Sequence, residues 1–152
     1  MTYDSKFDTS QHIATVRKYL GRVKEELSFR SLIHDASKLE SPEKEAFDVL
    51  TPRLKELTYG SDEYRASLKE LKPALDHHYQ HNSHHPEHYT NGISGMSLLD
   101  IIEMLCDWKA ASERHSDGDF VKSLEINRTR FKISDQLYDI LVNTARELHF
   151  IE

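Results

Sequence analysis

Between Ser97 and Trp108 the chain carries Leu98, Leu99, Ile101, Ile102, Met104, Leu105 and Trp108. In a chain only 38% hydrophobic, such a run has to lie against a core. Ser97 is a capping hydroxyl, and the spacing predicts a buried helix. The same period appears upstream: residues 10–27 set His12, Val16, Tyr19, Leu20, Val23 and Leu27 on one helical face. A short segment from Leu32 to Lys38 follows. Ser41-Pro42 predicts a helix start, with proline at the first helical position, running to about Leu57. Gly60-Ser61 opens another helix to about Leu71, and Pro73 either kinks it or starts a new one ending near His81. Residues 82–96 form an irregular loop broken by Pro86, Asn91-Gly92 and Gly95. Two further helices are predicted near 119–130 and 135–148. No stretch alternates convincingly as a strand. The expectation is an all-α, compact single-domain bundle of about six or seven helices over residues 1–152.

Bulk properties narrow the class. A net charge of -6 argues against a general nucleic-acid binder. No apolar run has the length of a membrane span, and the first residues lack an export signal's apolar region. The single cysteine, Cys106, cannot form an internal disulfide, so the expected location is the cytoplasm. Ten histidines stand out, most of them between His77 and His88, and imidazole is the commonest metal-ligating side chain.

Four positions point to a metal site. His34-Asp35 offers a nitrogen and an oxygen ligand, although helical neighbours diverge by about 100° and need a bent or terminal turn to converge. Alone, the doublet reads as a solvated helix end. His12 falls on an apolar helix face, where an imidazole needs a partner. Asp107 falls inside the most apolar helix, where a carboxylate is rarely buried unless paired or metal-bound. The alternatives are a hydrogen-bonded core histidine at His12, and an Asp107 paired with Lys109 or Arg114.

The order His12, His34-Asp35, Asp107 on successive helices resembles the HD superfamily of metal-dependent phosphohydrolases. His34-Asp-Ala-Ser-Lys38 is similar to the His-Asp-x-x-Lys form of its cyclic-dinucleotide phosphodiesterases and of related di-iron oxygenases. With the later His-His-Pro-Glu-His stretch, the chain looks like a family common in phages and bacteria, across His12 to about Arg114. That resemblance implies an HD-like bundle, located in the host cytoplasm if phage-encoded. His12, His34, Asp35 and Asp107 would be ligands to one divalent ion (Mn, Fe, Ni, Co, Zn or Mg). In two-metal members two extra histidines hold the second ion. Here His78 and His85 are the first candidates, followed by His77 and His84, although they lie closer together than that pattern has them. One metal, with the other histidines binding phosphate or water, stays open.

The implied activity is hydrolysis of a nucleotide-like phosphate ester. Lys38 would stabilise an oxyanion and Glu87 would orient a water or a histidine. Lys109, Arg114 and Arg130 are placed to hold phosphate, though each is ordinarily a solvated charge. A di-iron oxygenase and a non-catalytic nucleotide-binding or inhibitory module are the alternatives. The expected partner is a small molecule, with neither membrane nor nucleic acid, and a homo-oligomer is open.

Overall fold

A computed structural model describes residues 4–56, 62–114 and 118–152. Among these residues there are helices and no strands, so the protein is all-α as expected. No helix is long and apolar enough to cross a membrane among the described residues. The chain divides into two units at the His34–Asp35 peptide, the second running Asp35–Glu152.

The first unit is built on one helix, α1 (Lys6–Ile33), longer at both ends than the apolar period alone indicates. Asp4 Oδ1 accepts from the Lys6 N–H at 2.9 Å beside the helix start, satisfying one otherwise unpaired terminal amide. Near the other end Arg30 pairs with Glu26 at 3.1 Å. The Arg17–Val23 stretch has no helix breaker other than Gly21, which a helix tolerates at modest cost.

The second unit opens on a 3-10 turn, Ala36–Leu39, entered through Asp35 at φ 56°. This left-handed conformation is one that aspartate tolerates better than most side chains. Helix α2 (Glu43–Glu56) begins one residue later than a first-position proline would have it. Pro42 stands outside the helix after a cis peptide, and Glu43 begins the first turn. The expected end at Leu57 and the start at Gly60-Ser61 lie outside the described residues. Helix α3 (Asp62–His81) carries Pro73 within it, so this proline neither ends nor restarts the helix. Residues 82–97 are irregular apart from 3-10 turns at Pro86–His88 and Gly92–Gly95.

Helix α4 (Leu98–Ser112) starts with a full capping box: Ser97 Oγ accepts from the Asp100 N–H, and the Asp100 carboxylate accepts from the Ser97 N–H. The same buried carboxylate accepts from Ser83 Oγ at 2.7 Å and from the Tyr89 hydroxyl at 2.9 Å. The histidine-rich loop is thereby tied to the start of α4. Helices α5 (Phe120–Arg130) and α6 (Asp135–Glu147) are capped by Asp119 and Ser134.

Met104, Leu105 and Trp108 of α4 meet Phe120 and Leu124 of α5, Ile133, and Leu141 and Ala145 of α6 in one buried cluster. Each such large side chain contributes about 1.5–3 kcal/mol on burial. A smaller cluster, Leu50 with Leu71 and Ala74, fastens α2 to α3. These two clusters hold the N-terminus of α2, the C-terminus of α3 and the inward face of α4 as fixed supports.

Candidate metal centre

Asp35, His78, His84 and His85 each offer one ligand atom, and these atoms lie within 4.8 Å of one another. His78 Nε2 is 2.9 Å from His85 Nε2 and 3.2 Å from Asp35 Oδ1, while His84 Nε2 is 3.5 Å from that same oxygen. Ligands on one ion with bonds of about 2.1 Å at tetrahedral or octahedral angles sit roughly 3.0–3.4 Å apart. These three distances lie close to that spacing. Three elements supply it: the turn after Asp35, the last turn of α3, and the irregular segment after it.

The far side of two rings is anchored by carboxylates. His78 Nδ1 donates to Glu43 Oε2 at 2.9 Å, and His84 Nδ1 lies 3.2 Å from Glu103 Oε1. A carboxylate at Nδ1 draws the ring proton there and turns the Nε2 lone pair inward, the arrangement of carboxylate–histidine–metal sites. Glu43 is fully buried and also accepts from His77 Nδ1 at 2.8 Å and from Ser37 Oγ at 3.0 Å. Asn82 donates to Ser37 Oγ and to the His78 carbonyl, both at 2.8 Å, which closes the network.

The electrostatics follow from these contacts. Burial alone would raise the Asp35 carboxyl, but its contacts with His78, His84 and Lys38 hold it well below the carboxylate range. Burial likewise works against ionised Glu43, and hydrogen bonds from His77, Ser37 and His78 outweigh it. Burial, reinforced by its neighbours His84 and His78, pushes His85 down to about 3, so that ring is neutral and able to ligate. Tyr79 packs on His85 with ring centroids 5.0 Å apart. Burial and the charge of Glu87 raise its hydroxyl's pKa.

The predicted residues distribute as follows. Asp35, His78 and His85 come together. His84, a second choice from sequence, joins them, whereas His77 turns to Glu43. Asp107 is half-buried on α4, with a carboxylate oxygen within 4.8 Å of one from Asp35. Lys109 pairs with Glu113 at 3.0 Å. Lys38 donates to Asp35 Oδ2 at 2.6 Å, on the oxygen opposite the histidines. Glu87 is engaged by Arg130 at 2.8 Å, and Arg114 is exposed just beyond α4. His12 belongs to α1, and His34 closes the first unit.

Sequence reasoning missed Glu43 and Glu103. Glu103 was open to discovery, because it precedes Asp107 by four residues and shares its helical face. Glu43 gave no such signal: an acid in the first turn of a helix reads as a complement to the helix dipole.

No curated protein and no solved structure matches the chain. A family model does match, over residues 1–147, and so takes in the histidine-rich segment and every member of the cluster. The chain belongs to the family of unknown function DUF5662.

Proposed function

We propose that this protein is a metal-dependent phosphohydrolase of the HD kind. Asp35, His78, His84 and His85 would hold a divalent transition metal, with Asp107 beside them, and the substrate would be a nucleotide-like phosphate ester. One observation carries the reading: the Nε2 atoms of His78 and His84, whose Nδ1 atoms face Glu43 and Glu103, converge on the ionised Asp35 oxygen. Such groups repel one another unless a cation or a shared proton sits among them. The histidine-rich donor set favours Mn, Fe, Co, Ni or Zn over Mg. The ion would supply Lewis acidity toward a phosphoryl oxygen and lower the pKa of a water.

The chain's own residues do the rest. Glu43 and Glu103 keep His78 and His84 in the ligating tautomer. Lys38 occupies Asp35 Oδ2, leaves Oδ1 to the centre, and brings a positive charge to offset negative charge developing on phosphate. Arg130, Lys109 and Arg114 are the cations proposed to receive the substrate's phosphate. For Arg130 and Lys109 that means exchanging Glu87 and Glu113 for the incoming anion.

The test is metal analysis of the purified protein, followed by assay with Mn²⁺ against phosphomonoesters, phosphodiesters and nucleotides. Metal-dependent release of phosphate or nucleotide is expected. Lys38→Ala should retain metal and lose on the order of 100-fold in turnover. A metal-loaded protein inert toward all phosphate esters would overturn the assignment, and iron-dependent oxygen consumption would move it to the oxygenases.

A further inference from the structure

His77 and His81 occupy successive turns at the end of α3, outside the cluster described above. Their rings stack with centroids 4.1 Å apart and planes inclined by 23°. Both rings have their tautomer set by an acceptor that cannot donate. His77 Nδ1 donates to the ionised Glu43 Oε1 at 2.8 Å, and His81 Nδ1 donates to the His77 backbone carbonyl at 2.8 Å. When neutral, each ring therefore presents its lone pair at Nε2.

Two imidazoles four residues apart on a helix share a face, and with both Nε2 atoms unprotonated they form a chelating pair. His81 is exposed and His77 half-buried, so the pair is reachable from solvent. The last turn of a helix also carries negative partial charge, which favours a cation there. Asp76, next in the chain, is held by Lys72 at 2.6 Å, so the nitrogen pair gives the site its chemistry.

We infer that His77 and His81 form a second, outer site for a borderline divalent transition metal such as Cu²⁺, Ni²⁺ or Zn²⁺. An all-nitrogen pair prefers these ions over Mg²⁺ or Ca²⁺. Solvent would complete the coordination. The outer site is joined to the inner cluster by Glu43, whose two oxygens hold His77 and His78. That carboxylate orients one imidazole of each site.

Cu²⁺ is the probe of choice, because its electron paramagnetic resonance spectrum reports nitrogen ligands. The full chain, His81→Ala and Asp35→Asn are titrated with Cu²⁺ and the bound ions counted. His81→Ala should bind one Cu²⁺ fewer than wild type and lose a two-imidazole signal, with helical content unchanged. His81→Lys, which keeps a long polar side chain, should behave the same way. Asp35→Asn, aimed at the inner cluster, should keep the two-imidazole signal. Equal Cu²⁺ stoichiometry and identical spectra for wild type, His81→Ala and His81→Lys would overturn the outer site. Loss of the two-imidazole signal in Asp35→Asn alone would assign it to the inner cluster and also refute this inference.

Discussion

His84 Nδ1 faces Glu103 Oε1 at 3.2 Å, joining a loop histidine to the inward side of α4. The contact fixes which ring nitrogen looks into the cluster. Glu103→Gln keeps an oxygen able to accept from Nδ1 but removes the charge that raises ring basicity. Metal affinity should fall by about 10–100-fold with helical content unchanged, since losses of that size follow removal of such supporting carboxylates. Isothermal titration of Mn²⁺ or Zn²⁺ into metal-stripped protein measures it. Unchanged affinity would mean that Glu103 does not support the ion.

Asp35→Asn separates charge from shape. Asparagine also tolerates the left-handed backbone that Asp35 adopts at φ 56°, so the turn should fold as before. The amide is a poorer ligand and no longer attracts Lys38. The variant should give a wild-type circular dichroism spectrum and emerge from dialysis without inner-site metal. A full metal complement after dialysis would remove Asp35 from the ligand set.

Acid should destabilise the metal-free protein, and the sign is the same for each shifted group. His85 is lowered from 6.5 to about 3 in the fold, so the unfolded chain takes up the proton first. Its contribution is complete above the unfolded value and is lost as the pH falls through the folded one. Asp35 and Glu43 are also lowered, and their contributions fade below about 4, where unfolded carboxylates protonate. Urea midpoints with chelator present should therefore drop between pH 7 and pH 4. A midpoint that rises on acidification would show these shifts to have the wrong direction.

Gly95 sits where a side chain has no room. A Cβ there would collide with Asn91 Oδ1 and lie 2.7 Å from Tyr89 Cβ. Tyr89 would have to move, loosening its bond to Asp100. Gly95→Ala should cost about 1–3 kcal/mol, the range for forcing extra atoms into a packed region. Thermal melts would register this as a clear fall in Tm, and an unchanged Tm would show that the loop yields freely.

Helical period and capping residues were enough to read the all-α class from sequence. Ser97 caps α4 as read, and Met104, Leu105 and Trp108 form its buried face, while Leu98 from the same apolar run is exposed. The site was only partly legible. His78, His85 and Asp35 stood out by residue type, but the convergence of His84 depends on how an irregular loop folds back, which no period encodes. Glu43 was hidden for a different reason. Its partners His77 and His78 are more than thirty residues away, and only the packing of α2 on α3 brings them together. Pro73 was ambiguous because a proline inside a helix and one at its start leave the same mark in a sequence.

Asp100 accepts from the Ser97 amide and from the side chains of Ser83 and Tyr89, so one carboxylate is both the start of α4 and the latch of the histidine loop. Fraying of the first turn of α4 and opening of the loop are then coupled, because both draw on the same carboxylate. Amide protons at the head of α4 and those across residues 83–89 should exchange with solvent at matching rates. Anything that quiets one segment, a bound ion included, slows exchange in the other.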